Sequence, residues 1–296
     1  MSQAMALAGE SFRAATGTRR AGWRSIVRRY RTGLLGLPLT LLVLTAAVLA
    51  TRLAPFSPLE MHPGQELQAP LSRFVFGSDE FGRDLYSRVL FGARISLVIG
   101  LISVFIGTLI GGTAGIAAGF LGGGTETVVL RLADCLLSFP PLILGIAVAT
   151  VLGPGAINAA IAVGIVTIPT FARLAWTSVL GERVKDYVQA VEGLGATDAR
   201  IVWRHILPNM LAPLLVQMTI AMAQAVLLEA SLSFLGLGIQ PPEPSWGGML
   251  NDSRAFLREA PWYGLFPGLA LSVLLLGLNL TADTVRDLLD PHTRVR

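Results

Sequence analysis

DYVQAVEGLGATDARIVWRHILPNM, residues 186–210, stands out in this chain because long runs of Leu, Val, Ile, Ala and Gly surround it, while it carries Asp186, Glu192, Asp198, Arg200 and Arg204 within one short stretch. Over residues 187–194 the helical repeat sets Tyr187, Ala190, Val191 and Leu194 on one side. Gly195 follows where a helix C-terminus favours a residue able to take positive φ. Thr197 or Asp198 is a cap for a second short helix, whose Ile201, Ile206 and Leu207 form an apolar face. Pro208 predicts a boundary with the next apolar run. The stretch therefore reads as a helix–turn–helix knob. Two uses fit it: docking into a groove of a partner protein, which needs only a few apolar anchors, or lying on lipid as an amphipathic hairpin. The physics of these residues leaves both open.

The rest of the chain says where such a knob sits. Of 296 residues, 53% are hydrophobic and only 14% are charged, far below the roughly 25% charged of soluble domains, so the main solvent is a bilayer. In a soluble protein a net charge of +4 would suggest nucleic acid as a partner. Here the excess Arg reads as orientation signal, and no nucleic-acid partner is expected. A single cysteine, Cys135, excludes an intrachain disulfide. His62, His205 and His292 are scattered, so neither a metal site nor a His-based triad is expected.

Six apolar stretches give six expected spans: 33–50, 95–120, 137–153, 155–171, 211–235 and 262–281. The third is expected to begin earlier, as one helix from near Thr125 that carries Arg131 and Asp134. The fourth is interrupted by Pro169. Residues 1–32 form an Arg-rich arm, 33–94 the first span and an outer loop, and 95–296 a five-helix core with the polar loop at 182–209. The arm followed by a short apolar run also has the form of an export signal, with Arg pairs at 19–20 and 28–29. The further spans favour an uncleaved first helix. With the N-terminus inside, sixteen of the 23 basic residues fall on cytoplasmic segments and seven on outer ones. That bias puts both termini and the 182–209 loop in the cytoplasm.

Several residues invite chemistry. LGGGTE (121–126) has the glycines of a phosphate cradle but not the Gly-Lys-Ser/Thr that an ATP site needs. Lys185 is the only lysine in the chain. Arg131 and Asp134, three residues apart, are expected to pair on one helix face, as a structural ion pair or as part of a gate. Glu229 fits either a contact with solute or a structural hydrogen bond. Asp79, Glu80, Arg83, Asp84 and Arg88 alternate in sign at helical spacing and are expected on a salt-bridged surface helix that contacts a partner, rather than in an active site.

Residues 187–209 resemble the cytoplasmic loop of bacterial ABC importer permeases, with matches at Tyr187, Val188, Ala190, Leu194, Gly195, Ala196, Ile206, Leu207, Pro208 and Asn209. Gln189 stands where that motif has Glu, and Val191 where it has a second Ala. Gln is nearly isosteric, so the docking shape survives, but a salt bridge from that Glu would not form with the same strength. FGSDEFGRDLYSRVLFGARISL (76–97), ASLSFLGLGIQPPEPSWGGML (230–250) and FPGLALSVLLLGLNLTADTVRDLLDP (266–291) are similar to the C-type subunit of dipeptide, oligopeptide and nickel importers, with Ala282 in place of a usual glycine.

The resemblance implies an all-α, polytopic transmembrane domain of the type I importer kind in a bacterial inner membrane. Implied partners are a homologous second permease, two ATP-binding subunits that hold the ATP and Mg, an extracytoplasmic solute-binding protein, and lipid. The implied ATPase-coupling residues are Tyr187, Gln189, Ala190, Leu194, Gly195, Ala196, Ile206 and Pro208. The solute would be a di- or oligopeptide, with a nickel chelate as the alternative. An ion-coupled secondary transporter would instead show inverted repeats and ionisable groups in mid-span, and neither is evident in the sequence.

Overall fold

A computed structural model describes residues 31–70 and 73–289. The Arg-rich arm up to residue 30, and Arg294 and Arg296 of the tail, lie outside the described residues. Within them the protein is helical, and the one strand-like feature is an isolated bridge between Ser78 and Asp84. The elements are α1 (Arg31–Val48), the single turn α2 (Ala50–Leu53), α3 (Leu85–Leu121), α4 (Gly123–Leu137), α5 (Pro141–Leu152), α6 (Ala156–Arg183), α7 (Asp186–Gly193), α8 (Asp198–Phe234), α9 (Trp246–Ser253) and α10 (Pro261–Leu289). Four of them, α3, α6, α8 and α10, are long and apolar enough to cross a membrane, and α4 with α5 adds a fifth if that bent pair is one span. The apolar part of α1, Leu35–Val48, is shorter.

Helices in lipid gain little from the hydrophobic effect on pairing, so close van der Waals approach has to hold them together. The central pair shows how. Gly107, Gly111, Gly115 and Gly119 repeat every four residues along α3 and line the face that meets α6. A Cβ built on Gly115 would lie 2.2 Å from the carbonyl oxygen of Ala172, and one on Gly111 2.3 Å from that of Ile168. Backbone therefore rests on backbone. At the other side of the core α1 and α10 do the same: a Cβ on Gly36 would meet Leu280 at 2.5 Å, and Thr40 and Thr281 share a hydroxyl hydrogen bond of 3.0 Å.

Prolines act differently at different sites. α6 continues helically through Pro169, which is buried, so the expected interruption there does not occur. Packing outweighs the roughly 3 kcal/mol that an interior proline costs a free helix. Pro140 and Pro141 do break the chain. Each disfavours helical φ/ψ in the residue before it, Pro140 is extended with ψ 134°, and Pro141 starts α5 at a position where its missing N–H is not needed. α4 and α5 meet at 96°, so the single helix expected from Thr125 to 153 is instead a sharply bent pair.

The charged run before α3 also departs from expectation. Residues 77–84 form turns rather than a surface helix, and Asp84 caps α3 by accepting from the Ser87 backbone N–H at 2.8 Å. Asp79 is fully buried, with the Arg83 Nε at 2.6 Å and the Arg88 Nε at 3.4 Å from one carboxylate oxygen. Arg88 further donates to the carbonyls of Pro58 and Pro242, which joins the segment before α3 to the loop before α9. Alternating charge at helical spacing here encodes a buried network that pins irregular loops.

Candidate functional site: the helical hairpin between α6 and α8

The hairpin begins at Lys185, whose extended backbone (ψ 140°) ends the α6 direction and starts α7. α7 closes in a Schellman motif: the Gly195 N–H donates to Glu192 O at 2.9 Å and the Ala196 N–H to Val191 O at 3.3 Å. Gly195 takes φ +80°, the left-handed conformation this motif requires. Val191 and Ala196, the two residues that such a cap brings together, both pack on the main core. Thr197 occupies the cap position of α8, with no side-chain capping bond.

α8 then continues without a break from Asp198 to Phe234. Pro208 is therefore not a boundary. A π-turn at Val202–Ile206 precedes it, and widening the helix at that point accommodates a residue with no amide to donate. The second arm of the hairpin and the long apolar helix are one rod.

The hairpin has two faces. Val188, Ile201 and Ile206 are buried in the same core cluster as Phe171, Val179 and Met210. Ile206 and the half-buried Ala196, expected with the docking set, thus hold the hairpin onto its own protein. The outer face carries Tyr187, Gln189, Ala190 and Leu194, of which Leu194 is 86% exposed. Trp203, 71% exposed, joins this exposed set and was not expected from the sequence. A Trp among charged residues on a short helix was the available signal.

Hydrogen bonds stiffen the assembly. The Tyr187 hydroxyl donates to Glu182 Oε2 at 2.6 Å and accepts from Asn209 Nδ2 at 3.0 Å, while Asn209 also donates to His205 O. Partial burial, and then the bond to the Glu182 carboxylate, push the Tyr187 hydroxyl up to about 12, so it stays protonated at physiological pH. The Gln189 amide donates to Val184 O at 3.3 Å. Arg183 donates to Phe120 O at 2.8 Å and lies over the Phe120 ring, capping the C-terminal end of α3. Trp176 donates to Glu126 at 3.1 Å and so ties α6 to α4. A load on the hairpin therefore reaches α3, α6 and α8 directly.

The other candidates fall elsewhere. Arg131 and Asp134 do not pair. Asp134 accepts from Arg173 of α6 in a half-exposed ion pair, and Arg131 is exposed with no ion pair among the described residues. The competing partner, 39 residues away in sequence, wins because the bend swings α4 alongside α6. Glu229 is fully buried and bonded to the hydroxyls of Ser96 at 2.9 Å and Ser233 at 2.8 Å, so its carboxyl joins α3 to α8.

Residues 111–295 match the family described as binding-protein-dependent transport system inner membrane component. The chain is 40% identical over 276 residues to the dipeptide transport system permease protein DppC of Alkalihalophilus pseudofirmus, covering 92% of this chain and 90% of that one. It is 41% identical over 278 residues to the di/tripeptide transport system permease protein DppC of Pseudomonas aeruginosa, with 92% and 91% covered. The glutathione transport system permease protein GsiD of Escherichia coli is 40% identical over 279 residues, with 93% and 92% covered. Among solved structures, an inward-facing form of the MetNI methionine ABC transporter superposes with a TM-score of 0.56 at 19% identity, covering 68% of this chain and 96% of that one, which shows a shared fold. By sequence and by fold, the chain belongs to the inner-membrane permease components of binding-protein-dependent ABC importers.

Proposed function

We propose that this permease subunit imports di- or oligopeptides. The observation that carries the reading is near-full-length similarity at about 40% identity to relatives named for dipeptide, di/tripeptide and glutathione transport. All three solutes contain peptide bonds, which favours peptides over nickel chelates. In this reading a homologous permease pairs with the chain, two ATPase subunits dock on the paired hairpins, and an extracytoplasmic binding protein delivers solute. Tyr187, Gln189, Ala190 and Leu194 make the docking face, and Gly195 sets its angle. Closure of the ATPases on ATP draws the hairpins together and shifts the population of transmembrane states. The continuous rod of α8 supports such transmission. The direct test is uptake of labelled dialanine by proteoliposomes that hold the complete transporter, with and without its binding protein. Uptake that does not depend on ATP, or none at all, would refute the reading.

Six spans with both termini inside follow if α1 and the bent α4–α5 pair each cross once. Arg258 is exposed before α10 and Thr197 is exposed on the hairpin. In a Cys135→Ala background, an impermeant thiol reagent added to intact cells should label Arg258→Cys and spare Thr197→Cys. The reverse pattern would invert the topology.

ATP and Mg belong, in this reading, to the partner ATPases, since the glycines of 121–126 lack a following Lys-Ser/Thr. The purified chain alone should show no saturable nucleotide binding by calorimetry, and ATP hydrolysis should appear only on adding the ATPase subunits. Saturable binding to the isolated chain would contradict the assignment.

A further inference from the structure

The bend between α4 and α5 opens onto a cavity of about 480 Å³, walled by α6 and α8. That volume is in the range of small-molecule sites. Irregular backbone at membrane depth is tolerated only where it is buried in protein or lines a cavity, and Pro140 and Pro141 line this one. From α8 come Gln217, Gln224 and Ser231, seven residues apart and so on nearly the same face two turns at a time. From α6 come Thr167 and Thr170.

The hydrogen bonding of these groups is informative. Thr167 and Ser231 donate to carbonyls of their own helices, at Gly164 and Leu227. Gln217, Gln224 and Thr170 make no side-chain hydrogen bond among the described residues. An amide with no partner in hydrocarbon costs roughly 2–7 kcal/mol, so two of them on one face of an apolar helix need water, solute or protein opposite them. Among the described residues, no titratable side chain lines the cavity. Glu229, next to the lining residue Leu228, is buried and taken up by the hydroxyls of Ser96 and Ser233, and Asp134 and Arg173, each three residues beyond a lining residue (Leu137 and Thr170), are paired with one another. Three residues rise about 4.5 Å along a helix, so that pair stands at the edge of an uncharged chamber.

A carboxamide offers two donors and an acceptor and matches a neutral group that itself offers both. In a peptide that group is the peptide bond. Gln224 and Thr170 are exposed, so the cavity is open on that side and a solute's charged termini keep their water there, while Leu142, Val166 and Leu228 present only apolar surface to the solute's own side chain. Resting on the peptide-import reading above, we propose that this cavity is a solute subsite on the translocation path, and that Gln217 and Gln224 hold the solute by its peptide bond, independent of side-chain identity.

The test uses the complete transporter in proteoliposomes, wild type and Gln224→Leu, with dialanine and its ester analogue, in which oxygen replaces the peptide N–H. The binding protein's own preference is common to both transporters and cancels in the ratio of ratios. Loss of one hydrogen bond predicts that the dialanine-to-ester preference in kcat/KM falls about fivefold in Gln224→Leu, and that Gln224→Asn restores part of it, with the second permease still co-purifying. An unchanged preference would overturn the subsite. Loss of the co-purifying permease would also overturn it, by putting these amides at the seam between subunits. Failure of the wild-type transporter to take up dialanine would instead refute peptide import itself, and the subsite with it.

Discussion

Gly195→Val is expected to lower uptake at least tenfold while the two permeases stay assembled. Nothing lies within 4 Å of a Cβ at this position, so the substitution introduces no clash. The cost is in the backbone: φ is +80°, where an L-residue is disfavoured by roughly 1–2 kcal/mol and a β-branched one by more. To relieve it, the chain must give up the Schellman bonds of Gly195 and Ala196. That frees α7 to tilt against α8 and carries Tyr187, Ala190 and Leu194 with it. A docking contact weakened by about 1.4 kcal/mol already loses a factor of ten in affinity. Co-purification of the ATPase subunits should fall in step with uptake. Gly193→Val supplies the control, because Gly193 is helical, lacks positive φ and is equally open. Gly195→Asn should retain most function, since Asn tolerates the left-handed region. Full ATPase association and full uptake in Gly195→Val would remove the hairpin from the coupling path, as a lipid-lying hairpin predicts.

The second large effect is on stability. Gly115→Ala adds one methyl, and in an open helix that change would be favourable by up to about 1 kcal/mol. Here the methyl meets the Ala172 carbonyl oxygen at 2.2 Å and the Ala175 Cβ at 2.8 Å, and neither can rotate away. α3 and α6 must separate along their whole glycine-lined seam. Overpacking of this kind costs about 1–3 kcal/mol, or more where backbone is the obstacle. Thermal unfolding in detergent, followed by Trp fluorescence, should shift down by roughly 5 °C or more, with a lower yield of folded protein. Gly112→Ala, three residues earlier with nothing within 4 Å, should melt with or slightly above the parent. If the two variants melt together, close backbone approach is not what holds this pair of helices.

The contrast between these two glycines separates what sequence reading captures from what it misses. The need for Gly195 is local: a helix end, a positive φ and a cap that follows from the next few residues. The need for Gly115 depends on α6, which begins some forty residues later. The four-residue glycine repeat is plain in the letters of α3, yet which helix it meets is not. The same division holds for the ion pairs. Asp134 has Arg131 at helical spacing, and local reasoning joins them. The bend at Pro140–Pro141 brings Arg173 closer instead. Asp79, Arg83 and Arg88 alternate as a solvated helix would, and they are buried because loops from three parts of the chain close over them.

By itself the sequence determined the solvent, the helical class, the apolar stretches, and the turn at Gly195. Each of these rests on composition or on interactions within a few residues, where spacing and side-chain chemistry suffice. Tertiary structure alone decided that the chain passes helically through Pro169 and Pro208 but breaks at Pro140–Pro141, that Ile206 belongs to the core rather than the docking face, and that Gln217 and Gln224 share a cavity with the break. Those outcomes depend on what packs opposite. A proline costs roughly the same in any helix interior, and only neighbouring helices determine whether contact energy exceeds that cost. An amide reads the same wherever it stands in the chain, and only the fold sets hydrocarbon, carbonyl or open cavity in front of it.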